Sequence, residues 1–273
     1  MSPITTFSHR FDDATGLTPL GDGVFEGRTD PAYTNMVGPF GGLTAAILLQ
    51  AVLLDERHLG EPVSLTVNYA GPIADGPFTI SVDPVRTNRN TQHWTVTLSQ
   101  NDVVATTATA VFGTRRATWA STESAPPEAP PASAVEPAEF PELVAWLDNY
   151  EMRFVEGSSL ELDAGPRPSS TSTLWVRDKP ARPLDHLSLT AMSDVFLPRV
   201  MLRLGKFVPA GTVTLTVYFH ADTDVLAAQG DRPVLATARA GRLGRGFSDQ
   251  YAELWTDDGE LLATGHQLVY FKA

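Results

Sequence analysis

Seven residues recur across more than half the length of this chain. Val63-Ser64-Leu65-Thr66-Val67-Asn68-Tyr69 is echoed by Val213-Thr214-Leu215-Thr216-Val217-Tyr218-Phe219, an offset of 150 in a chain of 273 residues. A helix-like apolar stretch precedes each copy. Strand-like runs follow each, ending in Ala108-Thr109-Ala110-Val111-Phe112 and His266-Gln267-Leu268-Val269-Tyr270. Solenoid repeats recur every 20–50 residues or so, so a period this long signals a duplicated domain. The length holds two domains of about 100–150 residues, each with its own core. Where the copies differ at polar positions, a single active site is expected.

Local patterns fill in each copy. Residues 7–30 read as a first strand and turn through Phe11, Leu17 and Leu20, with Asp22-Gly23 as a hairpin turn. Gly38-Pro39-Phe40-Gly41-Gly42 breaks the chain before Leu43–Leu54, which is apolar almost all round. A helix of that kind is buried rather than amphipathic, and a surrounding sheet is needed to bury it. Val63–Tyr69, Phe78–Val82, Gln92–Leu98 and Val103–Phe112 read as strands. In the second copy Thr173–Val176 is an early strand, and Leu187–Leu204 is a helix interrupted by Pro198. Gly211–His220, Val234–Arg239, Phe247–Trp255 and Leu261–Phe271 complete the pattern. Between the copies, Ser124-Ala125-Pro126-Pro127-Glu128-Ala129-Pro130-Pro131 marks a linker with little capacity to pack. The expected organisation is an N-terminal unit at 7–116, a linker at 117–145 and a C-terminal unit at 146–273. Each unit is a long buried helix followed by an antiparallel meander, an α+β class.

Composition removes several function classes. Without cysteine there is no disulfide or thiolate chemistry. The six histidines show no short ligand spacing, so neither a metal nor another cofactor is expected. The first residues, Met1-Ser2-Pro3-Ile4-Thr5-Thr6, lack the basic-then-apolar pattern of a signal peptide. The longest apolar run is too short for a membrane span. A cytoplasmic location is the default expectation. The net charge of −12 opposes non-specific nucleic-acid binding. Local arginines at 86 and 89, at 115 and 116, and at 239, 242 and 245 could still meet an anionic ligand, although solvated surface charge is the simpler reading. There is no Gly-x-Ser-x-Gly elbow, Rossmann glycine fingerprint or P-loop. Trp94 and Trp255 read as packing residues rather than ligand platforms.

The order of these elements resembles the double hotdog fold, and the details resemble the acyl-CoA thioesterase II family. Phe40-Gly41-Gly42 matches that family's entry into its first helix. Arg86-Thr87-Asn88-Arg89-Asn90-Thr91-Gln92 is similar to its basic, polar turn. Ser193-Asp194, Tyr218-Phe219-His220, Gly244-Arg245-Gly246-Phe247, Asp258-Gly259 and Gln267 fall where the family has similar residues. The resemblance covers the chain apart from the Pro-rich linker. It implies an acyl-CoA substrate and a site made of an Asp on the second central helix, a Thr or Ser on the next strand and a Gln on the last. By position these are Asp194, Thr212 and Gln267. Thr214 rivals Thr212, because the family has an Asp-His pair where this chain has Thr214-Leu215. Thr212, Thr214 and Thr216 share one face of a regular strand. A homo-oligomer of double hotdog chains is a further expectation.

Thioester hydrolysis needs an activated water, a holder for it, and donors for the oxyanion. Asp194 lies in an otherwise apolar run, where desolvation raises a carboxylate's pKa and suits it to act as base. The competing reading is a helix N-cap. Gln267 can orient a water, since an amide both donates and accepts; it also reads as an exposed strand residue. Gly41 and Gly42 admit a substrate close to backbone N–H groups at a helix start, or serve as a turn. The offset of 150 pairs Asp194 with Thr44, and small loop differences pair Gln267 with Thr109, so only the second copy carries the acid and the amide. Two alternatives stand beside the thioesterase. One is an enoyl-thioester hydratase or dehydratase, which needs an Asp–His pair from His186 or His220. The other is an acyl-binding module, with Asp194 on a cap and far from Gln267.

Overall fold

A computed structural model describes residues 8–141, 144–158 and 165–272. The first residues, on which the absence of a leader was read, lie outside the described residues. The N-terminal half runs α1 (Arg10–Ala14), β1 (Thr18–Gly21), β2 (Val24–Arg28), α2 (Gly41–Leu53), β3 (Glu61–Tyr69), β4 (Pro77–Thr87), β5 (Thr91–Gln100) and β6 (Val103–Gly113). The C-terminal half runs β7 (Tyr150–Glu156), β8 (Ser172–Asp178), α3 (His186–Met192), α4 (Arg199–Leu204), β9 (Ala210–Phe219), α5 (Thr223–Gln229), β10 (Val234–Arg239), β11 (Leu243–Gly244), β12 (Phe247–Trp255) and β13 (Leu261–Phe271). Their strands form one antiparallel sheet in the order β1-β2-β4-β5-β6-β3-β9-β13-β12-β10-β8-β7, with β11 against β12. The α+β double hotdog arrangement is therefore present, with both central helices buried inside the curl of a shared sheet. No helix of the described residues is long and apolar enough to cross a membrane.

The two echoed strands are the seam. β3 pairs with β9 through Ser64↔Tyr218, Leu65↔Val217, Thr66↔Thr216, Val67↔Leu215 and Asn68↔Thr214. Thr66 and Thr216 are echoes of one another, and their hydroxyl oxygens lie 3.1 Å apart. Exchanging every residue for its echo maps this pairing onto itself. A pseudo-twofold axis therefore passes between these two threonines. Arg115 adds a staple, donating to Phe219 O, His220 O and Pro62 O and pairing with Glu61. That arginine holds the units together instead of waiting for an anion.

Inside, α2 and α3 run side by side and antiparallel. The start of α2 meets the end of α3, where a Cβ on Gly42 would strike Ala191 O at 2.5 Å. The end of α2 meets the start of α3, with Gln50 and Leu53 beside Asp185, His186 and Leu187. α2 is buried on nearly every face, as its composition requires. Trp94 and Trp255 are both core residues.

Four expectations need correction. Phe11 belongs to α1, capped by His9, and is fully buried; the first hairpin begins only at β1. Its turn at Asp22-Gly23 has positive φ at both residues, as a type I′ turn requires. The stretch Leu187–Leu204 is two helices, since α3 already ends before Ser193. There Ser193 Oγ bonds back to Leu189 O and the Asp194 N–H to Ala191 O, tightening and closing the helix well ahead of Pro198. β7 and α5 were not anticipated, although the alternation of Tyr150, Met152 and Phe154 is a readable strand signal. Finally, the Pro-rich segment does pack. Ala129, Ala132 and Val135 cover Trp175, Leu235 and Trp255, and Pro130 O accepts from Trp175 Nε1 at 2.9 Å. This cover explains why β8 is buried on both faces.

The seam gives the first prediction. Thr216 sits on a strand paired on both sides, so Thr216→Pro removes a ladder hydrogen bond and costs about 1–3 kcal/mol for the partner left unmet. Thr216→Val keeps a β-branched side chain there and stays near neutral. Urea unfolding of both variants reads the difference; equal stability for the two is incompatible with a β3–β9 seam.

Candidate active site

The break after α3 exposes one carboxylate to the start of α2. Ser193 packs over Gly265 of β13, 3.7 Å from where its Cβ would stand. Asp194 then lies beside Gln267, which points to the same inner face as Gly265. Gln267 Nε2 donates to Asp194 Oδ1 at 2.5 Å. The Gly42 N–H donates to the same carboxylate. α2 has no side-chain cap of its own at Phe40, so Asp194 satisfies an orphan donor of another helix. It is not the N-cap of its own helix. A Cβ on Gly41 would come within 2.7 Å of Asp194 Oδ2, so the helix start and the carboxylate are in contact.

Burial pushes Asp194 up from 3.8 to about 7, against the opposing pull of the Gln267 amide and the Gly42 N–H. A carboxyl poised there exchanges protons near neutral pH. Gln267 spends one N–H on the carboxylate and keeps Oε1 as an acceptor for a water.

A bulge separates the two rival threonines. β9 gains one residue at Val213, so Thr212 lies opposite Val269 and Thr214 opposite Leu268. Val269 is buried with Gln267, whereas Leu268 faces outward. Cross-strand partners share a face. Thr212 therefore points to the sheet face that carries Gln267, and Thr214 to the opposite face. The expected common face of Thr212, Thr214 and Thr216 fails because a bulge shifts the alternation by one.

The echo pairing of site residues also needs correction. Thr66 pairs with Thr109, but its echo Thr216 pairs with His266. Leu65 pairs with Ala110, and its echo Leu215 with Gln267. Thus Ala110, not Thr109, answers to Gln267. Thr44 lies in the first turn of α2 and bonds back to Phe40 O, whereas Asp194 lies beyond the end of α3. The helix starts themselves correspond. Tyr69 OH donates to Gly41 O at 2.8 Å, and its echo Phe219 packs its ring 5.5 Å from that of His186. Counting the same distance from Gly41 and from His186 makes Leu49 the counterpart of Asp194.

Tyr69 is a site residue that sequence reasoning missed. Its hydroxyl pKa is raised far above the usual value by burial and by the charge of Asp194, so it acts only as a proton donor near neutral pH. The contrast of Tyr69 with Phe219 inside the echo was its readable signal. Neither histidine of the hydratase reading bonds to Asp194. His186 sits at the far end of α3, and His220 Nε2 meets Thr264 Oγ1. A cavity of about 670 Å³ lies elsewhere, between the Pro-rich segment and the outer face of the C-terminal half. Its arginines are engaged, Arg153 and Arg177 with Glu151 and Arg232 with Asp257, and none of the site residues lines it.

The family models match this arrangement in both halves. One described as acyl-CoA thioesterase C-terminal domain covers residues 122–271, and one described as acyl-CoA thioesterase N-terminal domain covers 30–113. The chain belongs to the acyl-CoA thioesterase family. It is accordingly a thioester hydrolase. Among solved structures, the thioesterase is similar to a hot dog fold protein of unknown function from Alicyclobacillus acidocaldarius, with 47% identity, TM-score 0.94, and coverage of 98% of this chain and 99% of that one. It shares its fold with an acyl-CoA thioesterase II from Mycobacterium marinum at 20% identity and TM-score 0.73, covering 96% of this chain and 98% of that one. A tesB protein from Mycobacterium avium subs. paratuberculosis gives 20% identity and TM-score 0.77, covering 96% and 98%. The comparison with curated proteins finds no match.

The raised pKa of Asp194 has a stability consequence. The folded chain holds this proton more tightly than the unfolded one, so stability is undiminished below about pH 4 and falls as pH rises through 7. Asp194→Asn keeps an acceptor for Gln267 and Gly42 but carries no charge. Its melting temperature should exceed that of the parent at pH 8 by several degrees, at roughly 2–4 °C per kcal/mol for a chain of this size. The gap should close below pH 4. Scanning calorimetry at both pH values reads it, and a variant less stable at pH 8 contradicts the burial argument.

Proposed function

We propose that the chain hydrolyses acyl-CoA to the free acid and CoA by attack of a water that Asp194 deprotonates. The observation that carries this reading is the direct Asp194–Gln267 hydrogen bond set against the start of α2. Gln267 Oε1 and the Thr212 hydroxyl hold the water. Asp194 takes its proton as the oxygen attacks the thioester carbonyl. The negative oxygen that develops is met by the backbone N–H of Gly41 at the start of α2, where the helix dipole favours negative charge; the Gly42 N–H is engaged by Asp194. Collapse of this intermediate expels the CoA sulfur, and the acid now held by Asp194 returns its proton to that sulfur. A group titrating near 7 can serve in both directions.

The alternatives lack the geometry they require. A hydratase needs an acid–imidazole pair, and Asp194 is paired with an amide. A passive acyl-binding module placed Asp194 far from Gln267, whereas the two are in contact. The pseudo-equivalent end of the helix pair carries Leu49 and Ala110 where Asp194 and Gln267 stand, so it lacks the acid–amide pair on which this reading rests.

Release of free thiol from acyl-CoA esters of graded chain length tests the activity. The rate constant kcat/KM should rise with pH to a plateau, with its midpoint near the Asp194 value of about 7. Asp194→Asn should lose at least about 100-fold in kcat and also lose that acidic limb. The double variant Thr44→Ala with Thr109→Ala should keep most of the rate, since Thr109 faces outward and Thr44 bonds only within α2. Equal impairment of the two variants, or unchanged turnover in Asp194→Asn, removes the assignment.

A further inference from the structure

Next to Gln267 the inner face of the sheet carries polar groups that nothing in the described residues satisfies. Gln250 lies directly opposite Gln267, and Ser248 directly opposite Val269. Both are buried, at 1% and 2% exposure. Neither Nε2 nor Oε1 of Gln250 has a hydrogen-bond partner among the described residues, nor has Ser248 Oγ. Buried polar side chains are nearly always bonded, because an unmet donor or acceptor loses its water without recompense.

The pseudo-twofold axis supplies an internal control. Ala110 answers to Gln267 and pairs with Trp94, so Trp94 answers to Gln250. Phe112 answers to Val269 and pairs with Gln92, so Gln92 answers to Ser248. In the N-terminal unit the indole of Trp94 fills the space. The Gln92 amide there is fully engaged, accepting from Leu59 N and Trp94 Nε1 and donating to Arg57 O and Thr87 Oγ1. The same fold thus closes and satisfies these positions in one unit. In the other unit it leaves a shorter amide and a hydroxyl unmet, and they stand beside the acid–amide pair.

We propose that Ser248 and Gln250 form a polar acyl subsite, so that the preferred acyl group carries a hydroxyl or oxo substituent within a few bonds of the thioester carbonyl. The reach follows from the sheet, since directly opposed side chains stand about 5 Å apart. A hydroxyl can donate to Gln250 Oε1 and accept from Nε2, and an oxo group can accept from Nε2 or Ser248 Oγ. A plain alkyl chain leaves these groups buried and unpaired, which is how a site built for hydrogen bonding rejects an analogue that lacks the partner. This subsite rests on the thioesterase reading of Asp194 and Gln267.

The test compares hexanoyl-CoA with its β-hydroxy and β-oxo derivatives by free-thiol release, in the parent, Gln250→Leu and Ser248→Ala. The parent should favour at least one derivative over hexanoyl-CoA by about tenfold or more in kcat/KM. Gln250→Leu should erase or reverse that ratio, with Asp194 and its pH limb intact. Ser248→Ala is small enough to keep the fold and should weaken the preference by itself should Gln250→Leu fail to fold. Equal or better turnover of hexanoyl-CoA by the parent overturns the subsite and leaves the thioesterase reading in place. So does a ratio unmoved by the substitutions. Thiol release from none of the three esters sinks both.

Discussion

The antiparallel pairing of β3 with β9 is the contact from which the rest follows. A hotdog unit alone would end on an open strand at this position, with a row of unpaired backbone groups. Pairing two such strands about Thr66 and Thr216 removes both edges at once and makes one continuous sheet. It also imposes an axis. Helices related by a twofold axis across the seam run antiparallel, so the start of each meets the end of the other. The candidate site is composite for this reason. Gly41, Gly42 and Tyr69 come from one unit, and Asp194, Gln267 and Thr212 from the other.

The axis builds two such junctions, and the side chains make them unlike. At one end stand Gly41, Tyr69, Asp194 and Gln267. At the other stand His186, Phe219, Leu49 and Ala110, with Trp94 filling the inner face. Burying an ionisable carboxylate costs free energy that the remainder of the fold must offset. Doing so at one junction only, and packing the other with apolar bulk, keeps that cost single. The glycines at the start of α2 allow the close approach. Any side chain at residue 42 would collide with the carbonyl of Ala191, and one at residue 41 with the carboxylate itself.

Outside the curl, the Pro-rich segment acts as a strap. Proline and alanine bury little surface alone, but an extended chain lying on Trp175, Leu235 and Trp255 shares their burial. Arg153 anchors it by donating to Ala132 O and Val135 O. Burial on both faces of β8 therefore depends on a segment whose own composition reads as a spacer.

The duplication, the α+β class, the buried character of α2 and most of the strands were legible in the sequence, because periodicity and β-branched runs are local properties of the chain. Asp194 and Gln267 were legible as candidates because polar residues stand out in apolar runs, and because a family resemblance supplied their places. Thr212 could not be told from Thr214, since regular alternation puts both on one face and only the bulge at Val213 turns them apart. Thr44 and Thr109 were matched to the wrong partners, since a constant offset along the chain ignores where helices end and how loops differ in length. The sequence by itself determined most of the segments that become helix and strand and which polar residues are candidates for chemistry. Only the tertiary structure decided which of them meet, because the meeting depends on strand register, on a helix that stops at Ser193, and on glycines at the start of α2 that leave room for a carboxylate from the other unit.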